Sequence, residues 1–423
     1  MTWRAATFDE LIEAGTLEVG DGYRAKNAEL GGSELPFLRQ GLIGDDGTID
    51  FEKAERFREC SVAKAQAKSS MPHDVLVVTK GWSTGRVAFM QPSHPRVVYS
   101  PHVSYWRSRA PETLDPHYLR QWSRSPEFTN QLEALAGTCT LHPYLSLRNQ
   151  RLLQITLPPL SEQQRIAAVL AALDDKIELN RQMNRTLEEI AQAVFQSWFI
   201  DFDGHDELVA TELGKMPQGW EVRPFLEVAD LVSGGTPKTR EESYWGGKIK
   251  WASAKDVSQS ASYFLIDTER TITEIGLSNS STKIIPAGAV VVVARGATCG
   301  RFVVFGEDIA MNQTCYALVA KNGYPSSFLR FMCADALRRL VLQAHGSVFN
   351  TITTMTFRNL KVVVPPIPRA KEFHRFAQPF VERIRTNLYE MRTLTNLRDT
   401  LLPKLISGEI RIPEGEAIVE AAT

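Results

Sequence analysis

Few residues of this 423-residue sequence have types and spacings that suggest catalysis. Asp174-Asp175-Lys176 resembles a fragment of a nuclease metal site, but it lies in a helical pattern with no partner motif and reads as a solvated helix face. Two Pro-Pro pairs occur, in LPPLS at Leu157 to Ser161 and in VPPIP at Val364 to Pro368. Both lack the preceding Asn or Asp and the following aromatic of an amino-methyltransferase loop. Gly247-Lys248 is followed by Ile249, so no phosphate-binding loop is formed. The eight histidines are scattered, none in an H-E-x-x-H pair, and no metal site is expected.

Other loops suit binding better than catalysis. Ser233 to Arg240, SGGTPKTR, offers Thr236, Lys238, Thr239 and Arg240 on a glycine-rich loop. Gly20 to Lys26, GDGYRAK, offers Tyr23, Arg24 and Lys26 at the matching place early in the chain. Thr79 to Arg86 contributes Lys80, Ser83, Thr84 and Arg86; Ala294 to Arg301 contributes Arg295, Thr298 and Arg301. Tyr99 to Arg109, YSPHVSYWRSR, interleaves rings with cations and adds Tyr105, Arg107 and Arg109. Such loops can follow a phosphate backbone, and Asn312 and Gln313 are candidates for base edges. Between residues 71 and 151, nine Lys and Arg face five Asp and Glu, a local excess of four.

These loops recur because the chain repeats. Met71 to Ala88 and Lys283 to Val304 share a proline, a valine-rich run, a basic residue and Gly-x-x-x-Gly-Arg. Gly81, Gly85 and Arg86 match Gly296, Gly300 and Arg301 at an offset of 215. The apolar run reads as a buried strand and the glycines as a turn into the next strand. Tyr118-Leu119-Arg120 matches Phe328-Leu329-Arg330 and opens a helix in each copy, leading to Gly137-Thr138 and Gly346-Ser347.

A long helix follows each Pro-Pro pair. Ile166, Leu173, Ile177, Asn180, Leu187, Ile190, Val194 and Trp198 match Phe373, Phe380, Ile384, Asn387, Leu394, Leu397, Leu401 and Leu405 at an offset of 207. Spacings of three, four and seven predict a packing seam. A helix over Ser161 to Ile200 would span roughly 60 Å. Ser161 with Gln164 predicts its capping box. Pro379 is expected to kink or delay the second helix, and Pro403 with Gly408 to end it. Asn180 and Asn387 are either solvated or paired as a register-fixing polar contact. Packing of the two helices would relate the copies by an approximate two-fold axis, with the globular parts at opposite ends of a helical rod.

The expected architecture is α+β: two similar globular domains, each a mixed sheet with helices, at 1–157 and 204–364. The long helices cover 158–203 and 365–412, with a tail at 413–423. Net charge is −1, and 43% of residues are hydrophobic. Five cysteines with no C-x-x-C predict reduced thiols. The N-terminus lacks the apolar core of a signal peptide, and no run is long enough to span a bilayer. A cytoplasmic protein without membrane contact is expected.

The sequence resembles the specificity subunit of type I restriction-modification systems. The match is carried by the stretch Leu157 to Asp203 and supported by GKMPQGWEV at Gly214 to Val222, SGGTPKT at Ser233 to Thr239 and LRDTLLPKLISGEIRI at Leu397 to Ile412. The resemblance implies two target-recognition domains, each binding half of a bipartite double-stranded DNA site, and long helices that form an antiparallel coiled coil setting the spacing. It further implies two methyltransferase (modification) subunits and a helicase-nuclease restriction subunit as partners. S-adenosylmethionine, ATP and Mg would belong to those partners, with no catalysis and no cofactor in this chain. The first domain lacks the P-x-G-W lead-in of the second, so the two halves should read different sequences. The contrasting reading is a coiled-coil assembly protein without a DNA role.

Overall fold

The computed structural model describes residues 3–137, 143–343 and 351–413. Thr138, Cys139 and the Gly346-Ser347 pair lie outside the described residues, as does the tail beyond 413. The chain forms two compact units, residues 1–176 with 393–423 and residues 177–392. Each therefore contains one sheet system and parts of both long helices.

In the first unit, β1 (Arg4–Thr7) pairs antiparallel with β8 (Gln154–Leu157). Thr7 and Glu10 form a reciprocal cap on α1 (Phe8–Glu13). β2 (Leu17–Gly20), β4 (Val75–Val78), β5 (Val87–Phe89) and β7 (Val103–Ser108) form an antiparallel sheet in the order β2-β7-β4-β5. β3 (Phe37–Leu38) runs parallel to β6 (Val98–Tyr99). Every residue of β4 is buried because both sheet faces are covered. Leu76 and Val78 join a cluster with Tyr99 and Tyr105. On the other face Trp106 meets Phe8 edge-on, and also Trp122 and Phe128. A strand covered on both sides needs no polar alternation, which explains the continuous apolar run. The helices are α2 (Glu59–Ala65), α3 (Pro116–Trp122), α4 (Pro126–Ala136) and α5 (Leu147–Gln150).

The second unit follows the same plan. After a hairpin of β9 (Leu208–Thr211) and β10 (Gly214–Pro217), β11 (Glu221–Pro224) pairs antiparallel with β21 (Lys361–Val364). β12 (Ala229–Ser233), β14 (Phe264–Leu265), β17 (Val290–Val293), β18 (Phe302–Phe305) and β20 (Cys315–Ala320) form a sheet ordered β12-β20-β17-β18-β14. A second sheet, β15-β13-β19-β16, uses β13 (Trp245–Ala252), β15 (Arg270–Ile272), β16 (Ile284–Ile285) and β19 (Ile309–Met311). Three short helices, α7 (Ala254–Gln259), α8 (Glu274–Ser278) and α10 (Thr354–Asn359), sit between strands. α9 (Ser326–Gln343) brings Phe328, Phe331 and Met332 into one cluster with Val290, Val292 and Leu318.

The repeat is thus a repeat of topology and register. The order β2-β7-β4-β5 recurs as β12-β20-β17-β18, and Val75 opposite Trp106 recurs as Val290 opposite Leu318. The isolated bridge of Lys80 with Tyr144 recurs as Arg295 with Thr351.

The long helices are α6 (Leu160–Gln196), closing in a π turn over Ser197–Asp201, and α11 (Ile367–Ser407). Both start directly after their Pro-Pro pair. The Pro159 carbonyl accepts from the Glu162 and Gln163 N–H groups, and the Pro366 carbonyl from those of Arg369 and Ala370. Ser161 is therefore inside the first turn and is not the expected cap. Two other expectations are corrected. Pro379 does not delay α11, and Pro403 does not end it. Each proline removes one backbone hydrogen bond, but buried neighbours, Ala377 and Val381 around the first, Leu402 and Leu405 around the second, keep the helix in its seam. The stop comes at Gly408, with φ +74°.

The two helices run antiparallel. Within the first unit Arg398 pairs with Asp174 at 2.9 Å. Within the second, Asn180 Nδ2 donates to Glu390 at 2.8 Å and Asn387 Nδ2 to Asn184 at 2.7 Å. Ile166, Leu173, Ile177, Phe373, Ile384 and Leu394 are buried; Leu187 and Phe380 are half-buried against the second unit's core, and Ile190 is exposed. Asn180 and Asn387 are fully buried but do not bond each other. Their partners show why: 184 opposite 387 and 180 opposite 390 place the two asparagines about one turn apart along the seam. The carbonyl oxygen of each has no hydrogen-bond partner.

Candidate nucleic-acid interface

Sheet register gathers the candidate loops. In the first unit Gly20 lies opposite Tyr105 and Val78 opposite Val103. The loop after β2, the loop after β4 and the loop before β7 therefore emerge at one end of the sheet. In the second unit Ser233 lies opposite Tyr316 and Val293 opposite Cys315, so the loops after β12 and β17 and the loop before β20 share one end too.

Glycine lets these loops pack closely. A Cβ on Gly22 would fall 2.1 Å from the Ser100 carbonyl oxygen, and one on Gly234 would fall 2.0 Å from that of Asn312. Residue 20–26 backbone is thereby laid on 99–102, with the Tyr23 N–H donating to Tyr99 O at 2.7 Å. In the second unit the 233–240 loop lies on 311–313, and the Thr236 hydroxyl donates to the Gln313 side chain. The sequence offered Thr236 and Gln313 as separate candidates; the fold makes them neighbours. Asn312 Oδ1 accepts from the Thr314 N–H at 3.1 Å, which shapes its own turn.

The Gly-x-x-x-Gly turns are built alike. Gly81, Gly85, Gly296 and Gly300 all have φ between +86° and +93°, a region costly for residues with a Cβ. Gly85 N–H donates to Val78 O at 2.8 Å and Gly300 N–H to Val293 O at 2.9 Å. Thr84 serves the turn itself, donating to Gly81 O at 2.6 Å; Ser83 is half-buried and Thr298 exposed.

The candidate cations divide into two groups. Arg24, Lys26, Lys80, Lys238, Arg240, Arg295 and Arg301 are exposed, as is Thr239, and among the described residues none of these cations forms a salt bridge with a carboxylate. Three others are committed inside the first unit, and the structure corrects the sequence reading there. Arg107 is 8% exposed and holds Asp74, itself fully buried, through two hydrogen bonds of 2.6 and 2.8 Å. Tyr105 is also buried and donates to Glu18 at 2.8 Å. Arg109 pairs with the same Glu18. Arg86 pairs with Asp45 and donates to Ile43 O. Tyr23 donates to Glu29 at 3.0 Å.

The electrostatics agree with this division. Burial pushes the Tyr105 hydroxyl up to about 12, helped by Glu18. Burial would also lower Arg107, but Asp74 and Glu18 outweigh it and raise its pKa. Near the loop ends, His102 is held below the usual histidine value by burial and by the nearby charges of Lys80 and Arg24. Asp174 is not on a solvated face: Arg120, Arg124 and Arg398 surround it at 3.5, 2.6 and 2.9 Å. Burial tends to raise its pKa, but the arginines together lower it. Asp175 and Lys176 are exposed.

Sequence reasoning missed Trp82, His102, Tyr144 and the Arg270–Trp245 stack, whose cation lies 3.4 Å from the ring centroid. Trp82 had a signal in its place between two turn glycines; the stack pairs residues distant in sequence. Among the described residues no three His, Cys, Asp or Glu side chains cluster as metal ligands, and no helix is long and apolar enough to cross a membrane.

Comparison with known proteins agrees with this architecture. The MjaIX specificity subunit of a type I restriction enzyme from Methanocaldococcus jannaschii is 26% identical, covering 96% of this chain and 93% of its own. The HindI specificity subunit from Haemophilus influenzae is 24% identical, covering 84% and 92%. The crystal structure of a type I restriction-modification S subunit from M. genitalium shares the fold, with a TM-score of 0.58 at 15% identity over 96% of each chain. A family profile, the type I restriction modification DNA specificity domain, matches residues 37–189 and again 217–390. The chain belongs to that family and contains its domain twice.

Proposed function

We propose that this chain is the non-catalytic DNA specificity subunit of a type I restriction-modification assembly. Each copy binds one half of an asymmetric bipartite site on double-stranded DNA, and the long helices set the spacing and hold two methyltransferase subunits. The observation that carries this reading is the convergence of three loops at one sheet end in both copies, with unpaired cations and hydroxyls on a shared scaffold and different side chains in each. Cations without internal partners suit phosphates, and hydroxyl and amide groups beside them suit base edges. Methyl transfer with S-adenosylmethionine, and ATP- and Mg-dependent cleavage by a restriction subunit, belong to the partners.

The test is binding by the full chain co-purified with its methyltransferase partner. The bipartite site is first located by mapping modified bases in cells carrying the system. Intact duplexes should bind better than duplexes with either half scrambled, and affinity should fall steeply with salt. Arg301→Ala should weaken one half-site only. Equal binding to all duplexes overturns the reading and favours an assembly role.

A further inference from the structure

Trp82 is 93% exposed, whereas no other large apolar side chain among the described residues exceeds 57%. Its ring is not on a loose segment. Gly81 N–H donates to Pro143 O at 3.1 Å, and Thr84 N–H to Gly81 O at 3.0 Å. A Cβ on Gly85 would stand 2.3 Å from Leu132 Cδ2, so the far side of the turn rests on α4. The turn is pinned on both sides while the indole it bears touches almost nothing.

The surroundings identify what would cover the ring. Lys80, one residue before the turn, is exposed and lies 5.9 Å from the half-exposed Tyr144 ring. Arg24 and His102 line one cavity, and the Thr79 N–H, next to Lys80 in the chain, donates to His102 O at 2.9 Å, so the two cations flank His102. Among the described residues neither cation forms an ion pair with a carboxylate. A protein groove would suit the ring but not unpaired cations, and a phosphate alone would suit the cations but not the ring. A DNA half-site suits both, with phosphates beside apolar base faces and edges. In the second copy the same turn carries Ala297, so the ring belongs to one half-site only.

We propose that Trp82 is a specificity-determining residue for the half-site read by the N-terminal copy. Its indole lies against base edges in the groove while Lys80 and Arg24 hold flanking phosphates. This rests on the DNA-reading function proposed above. A rigid exposed aromatic loses little conformational freedom on burial, which is why such residues dominate binding hot spots.

The test uses the full chain with its methyltransferase partner and three duplexes: intact, one half scrambled, the other half scrambled. The half unaffected by Arg301→Ala is assigned to the N-terminal copy. Trp82→Ala should weaken binding to the intact duplex about tenfold or more, and Trp82→Phe should retain most affinity. Once the N-terminal half is scrambled, Trp82→Ala should cost nothing further. Wild-type affinity of Trp82→Ala on all three duplexes overturns the inference, as does equal loss on all three. Those results leave the DNA-reading function standing if the wild type still discriminates. A wild type blind to both scrambled halves overturns both.

Discussion

Arg107→Ala separates a structural arginine from a recognition arginine. The Arg107 guanidinium makes two hydrogen bonds to Asp74, which has no exposed surface. Without it, the carboxylate keeps, among the described residues, the Tyr99 hydroxyl at 2.7 Å and the Met71 N–H at 2.8 Å. Removing one partner of a buried ion pair costs about 3–5 kcal/mol. At about 2–4 °C per kcal/mol for a unit of this size, the first unit should melt roughly 6–20 °C lower. Calorimetry of the full chain measures the loss, and Arg301→Ala, exposed and unpaired, is the control that should melt like the wild type. DNA binding measured well below the melting transition should be near normal for Arg107→Ala and weakened for Arg301→Ala. If Arg107→Ala melts within about 2 °C of the wild type yet loses one half-site, Arg107 reads DNA and the reasoning fails.

Replacing both Asn180 and Asn387 with Leu removes two buried carbonyl oxygens lacking partners, each worth about 1–3 kcal/mol of desolvation, and this offsets the loss of the amide bonds to the half-buried Glu390 and Asn184. The melting temperature should hold or rise, and a fall of more than about 5 °C would contradict this. Gly85→Ala should destabilise more than Gly300→Ala in urea melts. Both positions have positive φ, but only Gly85 has Leu132 in the way of a Cβ; an equal or reversed order refutes the packing argument. Asp174 has its carboxyl held below its unfolded value of 3.8. Its stabilising contribution is therefore complete at neutral pH and is lost as pH falls below about 4 and through the lower folded value. The stability gap between wild type and Asp174→Asn should narrow from pH 7 to below about 3, and a gap independent of pH would argue against the arginine cluster as its cause.

Much of the fold was legible because duplication wrote its signals twice. The valine runs and Gly-x-x-x-Gly turns recur at an offset of 215, and the Pro-Pro helix starts at 207. The convergence of loops at a sheet end was not legible, since it depends on strand order. Arg107 and Asp174 were misread for a shared reason. A charge on a buried face is tolerated only when a counter-charge meets it, and Asp74 and Arg398 come from 33 and 224 residues away. Local spacing cannot announce such partners. The prolines of α11 were misread because local propensity was weighed without the apolar seam that overrides it.

The strand pairs β1–β8 and β11–β21 bear on how such a protein can change over generations. Each pair hydrogen-bonds the beginning of a recognition segment to its end, and a Pro-Pro helix start follows at once. The segment between is hung from a two-strand clasp. Substitutions within it alter what is contacted, while the clasp and the helix register stay as they were. Selection on the address and selection on assembly thus act on different codons, and a new address need not disturb the joint that holds it.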